Sequence, residues 1–203
     1  AGLGRDLTRT VMAGALACCR AWRDAGHDLH VAVNVTYPDL LDAQFPLEVG
    51  AALAQHGVDP SALIIEVTEN SIMSDEVRVG DVLARLSELG VRISLDDFGT
   101  GYSSLTHLRA LPVSEVKVDR SFVARMRSDA TDAAIVRSTI QLAHNLGMRI
   151  VAEGVEDEQT WASLERLECE LIQGYCLSRP LPPAEVAAFL AADRRAPRTP
   201  TSR

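Results

Sequence analysis

The sequence predicts an α/β fold in which parallel strands form a barrel, and three observations support this prediction. Six short β-branched runs alternate with longer helical patterns along the 203 residues. Such alternation is typical of parallel strands joined by right-handed helical crossovers. Polar residues stand at or near the C-terminal ends of nearly all six strands, as in (β/α)₈ barrels, whose sites draw on many strands. An open doubly wound sheet is the alternative, but no G-x-G-x-x-G motif follows an early strand.

The elements follow one another in a regular order. A helix over about residues 7–25 comes first, and a last helix over about residues 184–192 follows the sixth strand. The helices between strands are LEVGAALAQHG, DEVRVGDVLARLSELG, TDAAIVRSTIQLAHNLG and DEQTWASLERLE, and each ends near a glycine or a polar turn, as helices usually do. In chain order the predicted strands are HVAVNV (30–35), LIIEVTE (63–69), VRISLDD (91–97), EVKVDR (115–120), RIVAEGV (149–155) and LIQGYCLS (171–178).

The strand count is two short of a closed barrel, which needs eight strands in about 250 residues. The chain also opens on a helix rather than on a strand. We therefore expect an N-terminally incomplete barrel domain over residues 1–193, with about six of eight strands. The remaining residues 194–203 are basic and contain prolines, and we expect a disordered tail there.

Composition narrows the class of protein. The hydrophobic share of 47% predicts one globular domain with a real core, and the net charge of −8 argues against binding to nucleic acid polymers. No apolar run of about 18 residues is present, so we expect no membrane span. The four cysteines form no C-x-x-C pair, which indicates free thiols in a reducing compartment, and we expect a cytoplasmic domain.

Five oxygen-bearing side chains at the strand ends predict a metal site. Because no histidine or thiolate stands among them, the set favours Mg²⁺ or Mn²⁺. One of two adjacent aspartates can bridge two cations while its neighbour holds one of them, and such a two-metal site can hydrolyse a phosphoester. The candidate ligands are Asn34, Glu66, Asp96, Asp97 and Glu153.

Three further residues have predicted roles beside these ligands. Lys117 and Asp119 lie two positions apart, so they point to the same side of their strand. The ammonium could orient a water or neutralise a phosphate, with Asp119 holding it, and Gln173 could position a water or a base. Any single strand-end carboxylate could instead be a helix cap or half of a salt bridge. Chance placement at six strands is the weaker explanation.

The motifs together resemble those of the EAL domain family. They are VNVT, IEVTE, DDFGTGYSSL, KVDRSF, AEGVE and QGYCLSRPL, in this order, and the resemblance covers roughly residues 1–190. The resemblance implies a modified TIM (β/α)₈ barrel, in agreement with the strand-end argument. It also implies hydrolysis of the bacterial second messenger cyclic di-GMP to linear pGpG.

The resemblance implies a role for each candidate. Lys117 would contact the catalytic water, and Gln173 would support the water network around it. Glu69 would anchor the glycine loop FGTGYSS (98–104), which the family ties to metal binding and dimerisation, so a homodimer is expected. The metal ligands would be Asn34, Glu66, Asp96 and Glu153, with Asp97 at a second cation.

The sequence departs from the family at its front, where the E-A-L signature is absent. In the family, that region also supplies a metal-ligating glutamate and an arginine that contacts substrate phosphate, so these two residues would be absent as well.

Three functions stay open: a metal-dependent cyclic di-GMP phosphodiesterase, a non-catalytic receptor or dimerising signalling module, and a Mg²⁺-dependent enolising lyase with Lys117 as base. A sensory or GGDEF domain upstream is compatible with the first two.

Overall fold

One parallel sheet organises the protein. The computed structural model describes residues 2–99 and 105–192, without the side chains of residues 2–3 and 105–107. Its six strands stand in the order β1-β2-β3-β4-β5-β6, and each strand pairs in parallel with the next, as predicted. They are β1 (Val31–Asn34), β2 (Leu63–Thr68), β3 (Arg92–Phe98), β4 (Glu115–Val118), β5 (Arg149–Glu153) and β6 (Leu171–Gln173).

Helices connect the strands. The long ones lie where the sequence predicts them, and the short ones were not predicted because four to six residues show too little periodicity. The loop residues 100–104 and the predicted tail lie outside the described residues. The helices are α1 (Gly2–Asp24), α2 (Tyr37–Leu40), α3 (Phe45–His56), α4 (Glu69–Ser74), α5 (Glu76–Glu88), α6 (Leu105–Ala110), α7 (Arg120–Arg125), α8 (Ala130–Asn145), α9 (Glu158–Arg166) and α10 (Pro183–Ala192), with a 3₁₀ turn at Pro60–Ala62.

The strands separate apolar from polar side chains by alternation. On β3 the core residues Ile93 and Leu95 are fully or almost fully buried, and they belong to one cluster with helix residues such as Leu83. Since neighbouring strand residues point to opposite faces, Asp96 on β3 and Lys117 on β4 face away from that cluster. The opposite face of the sheet therefore collects the polar residues.

Two findings on the described residues concern helix character and the cysteines. None of their helices combines the length and the apolar character that crossing a membrane requires. All four cysteines are free thiols, and Cys19 is buried.

The carboxylate that caps the N-terminus of α9 makes the free energy of unfolding depend on pH in the acid range. The Asp157 carboxylate accepts hydrogen bonds from the backbone N–H groups of Thr160 (2.8 Å) and Gln159 (2.9 Å). These bonds, with one from the Thr160 hydroxyl, hold the pKa of Asp157 below its usual value. A depressed pKa contributes stability above the unfolded value of about 3.9, and this contribution is lost as the pH falls through the folded value.

We therefore expect Asp157→Asn to flatten part of the acid dependence of unfolding. Asparagine can still cap the helix, but it has no carboxylate to protonate. The midpoint temperature, measured from about pH 6 down to pH 3, should fall less steeply in the variant than in the native chain. Asp28→Asn, which changes an exposed aspartate beside Arg23, is the control. Equal slopes for Asp157→Asn and the native chain would contradict the assignment.

Candidate active site

A buried lysine stands at the centre of the polar face. Lys117 on β4 is the single lysine in the sequence, and only 4% of its surface is exposed. Its Nζ atom lies 2.9 Å from Glu66 Oε1, 3.2 Å from Asp96 Oδ1 and 2.5 Å from Glu153 Oε1. Four neighbouring strands thus bring one ammonium and three carboxylates together, as the strand-end pattern predicts.

Strand register explains why these residues meet. Asn34 on β1 is the register partner of Glu66 on β2, and its amide nitrogen donates a 2.9 Å hydrogen bond to Glu66 Oε2. Glu153 on β5 is likewise the partner of Gln173 on β6. Because the carboxyl ends of parallel strands meet at one edge of the sheet, residues far apart in sequence converge there.

The charges in this cluster shift the acid–base properties of its members. Burial alone would lower the pKa of Lys117, but the hydrogen bond with Glu153 and the negative charge of Glu66 outweigh it, so the pKa is raised. Burial raises the pKa of Glu153, and the charges of Asp96 and Glu66 raise it further against the opposing effect of Lys117. Partial burial and the charge of Asp96 also raise the pKa of Asp97.

These shifts show that negative charge is in excess. The carboxylates of Glu66, Asp96 and Glu153 contact a single ammonium, and the Asp97 carboxylate lies beside two of them. Crowded carboxylates resist ionisation unless a positive charge joins them. The donor set therefore fits a cation.

Three of the carboxylates are placed to share one ion. Oxygen atoms of Asp96, Asp97 and Glu153 all lie within 4.8 Å of one another. Asp97 adopts a φ of 56°, which is uncommon for a residue other than glycine, and its backbone N–H donates to Asp96 Oδ1 at 3.0 Å. This conformation brings two consecutive carboxylates to one region, although a regular strand would direct them to opposite faces.

A cleft of about 400 Å³ opens beside the carboxylates. The sequence predicts four of its lining residues as parts of the site, and five others have no predicted role. Those five reach the cleft through contacts between distant chain segments and not through a position at a strand end. Four of them nevertheless lie within the motifs AEGVE and QGYCLSRPL. The lining residues are Asp97, Asp119, Arg120, Glu153, Gly154, Glu156, Gln173, Gly174 and Tyr175.

Two glycines shape the cleft wall. Gly154 has a φ of 66°, and a Cβ atom there would lie 2.6 Å from Arg120 Cβ. A Cβ atom on Gly174 would lie 2.7 Å from the carbonyl carbon of Val155 and closer still to its nitrogen and oxygen. Both positions therefore require glycine for close approach of neighbouring chain segments.

The remaining predicted site residues are Gln173, Asp119 and Glu69. Gln173 is exposed in the cleft. Asp119 caps α7 by accepting from the Ser121 backbone N–H at 2.9 Å, and its side chain hydrogen-bonds that of Asp97. Its observed place is beside Asp97 rather than along the strand with Lys117. Glu69 is 3% exposed at the first position of α4, while the loop that it would anchor lies largely outside the described residues.

Comparisons with known proteins point to one domain family. A family model of the EAL domain matches residues 1–180. The chain is 45% identical over 173 residues to the bifunctional diguanylate cyclase/cyclic di-GMP phosphodiesterase MucR of Pseudomonas aeruginosa, covering 85% of this chain and 25% of that protein. It is 46% identical over 180 residues to the cyclic di-GMP phosphodiesterase NbdA of the same organism, covering 87% and 23%. The chain thus spans about a quarter of the length of these curated relatives.

A solved structure supports the fold. The chain resembles the PaMucR phosphodiesterase in its c-di-GMP complex, with a TM-score of 0.88 and 43% identity, covering 91% of this chain and 75% of that chain. The six parallel strands accordingly form a curled part of a barrel, which confirms the predicted α/β barrel class. The matched family model and these similarities lead to one conclusion: the chain belongs to the EAL domain family.

Proposed function

We propose that this domain hydrolyses cyclic di-GMP to linear pGpG in a reaction that depends on Mg²⁺ or Mn²⁺. The observation that carries the proposal is the convergence of Glu66, Asp96 and Glu153 on Lys117 at the strand ends. Relatives with this domain are named cyclic di-GMP phosphodiesterases, which supports the choice of substrate. The enolising lyase has no such support from the relatives.

The carboxylate set supports a proposal for where the cations bind. Asp96, Asp97 and Glu153 would hold one ion, and Asn34 with Glu66 would contribute further ligands on the β1–β2 side. Bound divalent cations supply a water of lowered pKa and stabilise the oxygen that leaves phosphorus. A site for two ions is consistent with a cluster that has three more carboxylates than ammonium groups.

The chain's own residues orient the reaction. Water oxygen forms the new bond to phosphorus, the bond from phosphorus to the ribose 3′ oxygen breaks, and a proton that the water loses ends on the released 3′ hydroxyl. The Lys117 ammonium, held in place by Glu66 and Glu153, donates a hydrogen bond to the attacking water or to a phosphate oxygen. Gln173 in the cleft would fix a second water by its amide group.

The test is hydrolysis by the chain itself. We expect pGpG to form from cyclic di-GMP in Mn²⁺, and excess chelator should abolish its formation. Asp96→Asn should lower the rate at least about a hundredfold, since this carboxylate serves both Lys117 and the metal ligand set. The control is Asp6→Asn, which removes an exposed carboxylate on α1 and should leave the rate unchanged. An active Asp96→Asn variant, or turnover in chelator, would contradict the proposal.

The non-catalytic receptor is the second candidate. It is favoured by the lysine, which already neutralises part of the carboxylate cluster and can stabilise it without a cation. Equilibrium binding separates the two functions: a chain that binds cyclic di-GMP without forming pGpG is a receptor. A chain that neither binds nor cleaves the dinucleotide fits neither function.

We also infer that the domain works within a longer cytoplasmic signalling protein. Its curated relatives are about four times as long as the matched part, which supports an attached sensory or GGDEF domain. Residues 1–193 would form the barrel unit, with a homodimer as its working form. Glu69, buried at the start of α4, would couple the glycine loop to the metal ligands.

A further inference from the structure

The cleft carries an exposed aromatic ring next to the acidic cluster. Tyr175 stands two residues after the end of β6 at Gln173, is 54% exposed and lines the same cleft as Glu153. Among the aromatic residues that the structure describes, it is the one with a mostly exposed side chain; the others are buried or half-buried. An aromatic ring left in solvent forgoes the burial that the others obtain, and its face stays accessible to a planar ligand in the cleft.

Backbone hydrogen bonds fix the position of this ring. The turn after β6 closes with Cys176 N–H donating to the Val155 carbonyl at 3.0 Å and Leu177 N–H donating to the Gly174 carbonyl at 3.1 Å. The close approach of Gly174 to Val155 joins this turn to the segment that follows Glu153. The ring is therefore tied to the strand that supplies a predicted metal ligand.

One ring face is already occupied. The Arg179 guanidinium carbon lies 5.0 Å from the centroid of the Tyr175 ring. This cation–π contact holds the ring in one orientation and leaves its other face for a second planar group. Through Tyr175 the guanidinium stands beside a cleft whose charged lining residues are four acidic side chains and the cation Arg120.

We propose that Tyr175 and Arg179 form a stacking platform for one purine base of the dinucleotide, and that this contact positions the phosphodiester at the carboxylates. Purine bases stack on aromatic side chains and on guanidinium planes through their π faces. A base held at Tyr175 leaves its phosphate within the cleft that Asp97 and Glu153 line. The inference rests on the proposed function, and it makes Tyr175 a residue that recognises the nucleobase.

The probe is a cyclic dinucleotide in which 2-aminopurine replaces one guanine. Its fluorescence falls when the base stacks, so binding and stacking are read together and without turnover. We expect quenching with the native chain and with Tyr175→Phe. Tyr175→Ala should weaken binding about tenfold and lose the quenching, because stacking contributes most of this contact. Arg179→Gln should give a smaller loss, since it removes the cation that orients the ring but keeps the ring itself for stacking.

A matched control comes from the same turn. Leu177→Ala removes a 41% exposed side chain that does not line the cleft, and it should bind within about twofold of the native chain. Turnover adds a second readout, in which Tyr175→Ala should raise KM for cyclic di-GMP more than it lowers kcat.

The outcomes distinguish this inference from the proposed function. A native chain that binds and cleaves cyclic di-GMP, with an unchanged Kd in Tyr175→Ala, overturns the platform alone. An equal loss in Leu177→Ala also overturns it, because the effect then belongs to the turn and not to the ring. A native chain that neither binds nor cleaves the dinucleotide overturns both.

Discussion

Lys117→Met is expected to lower the free energy of unfolding by about 3–5 kcal/mol at neutral pH in the absence of metal. Removing one partner of a buried ionic cluster leaves the opposite charges without compensation. Here the uncompensated charges are those of Glu66, Asp96 and Glu153, whose side chains are 10%, 15% and 17% exposed. The measurement is chemical denaturation in the presence of chelator.

Cations should restore part of the lost stability of Lys117→Met. With the ammonium gone, Mn²⁺ or Mg²⁺ would be the remaining source of positive charge for the carboxylates, so stability should rise with cation concentration. Activity should not return, because the bound cations do not replace the group that orients water. We expect the rate of pGpG formation to stay at least about a thousandfold below that of the native chain.

Arg20→Met is the control for this experiment. Arg20 pairs with Asp24 at 2.7 Å, but both side chains are more than half exposed, and such pairs contribute less than about 1 kcal/mol. A Lys117→Met variant that unfolds at the same denaturant concentration as Arg20→Met would contradict the view that the lysine holds the cluster together.

Gly174→Ala is the second substitution for which we expect a large effect. The added carbon would lie 2.7 Å or less from Val155 backbone atoms, far inside van der Waals contact, and backbone cannot move aside as a flexible side chain can. We expect a loss of about 3 kcal/mol or more, which corresponds to roughly 10 °C in the midpoint temperature of a domain of this size. Thermal unfolding followed by circular dichroism measures it.

The matched control is Gly14→Ala. Gly14 lies in α1, and a Cβ atom there would have no neighbour within 4 Å. Alanine is favoured over glycine inside a helix by about 1 kcal/mol, so this variant should be slightly more stable than the native chain. If both variants kept the native midpoint, the close contact between Gly174 and Val155 would not be a real constraint on the fold.

Much of the site could be predicted from the sequence because it depends on strand ends. Parallel order and a period of two are enough to expect Glu66, Lys117 and Glu153 on one face, and the structure brings them within hydrogen-bonding distance. The place of Asp97 could not be predicted in this way. Its positive φ, and not strand alternation, brings its carboxylate close to those of Asp96 and Glu153. No pattern in the sequence specifies that dihedral angle.

Other parts could not be predicted because they depend on contacts between distant segments. Asp119 was expected to hold Lys117 from the same strand, but β4 ends at Val118 and the carboxylate caps α7 instead. Tyr175 lies beyond the end of β6, so the strand-end pattern does not identify it as a site residue. Its exposure follows from the turn that Gly174 and Val155 form, which only the folded structure shows.

The single lysine gives the site a spectroscopic and chemical label of its own. Because the sequence holds no other lysine, lysine that carries a nitrogen isotope at its ε-amino group labels the Nζ atom of Lys117 alone. The ammonium resonance then reports cation and nucleotide binding without assignment of the spectrum. Acylation by amine-directed reagents, apart from that at the terminal amine, occurs only when the cluster opens, so its rate measures local unfolding of the site.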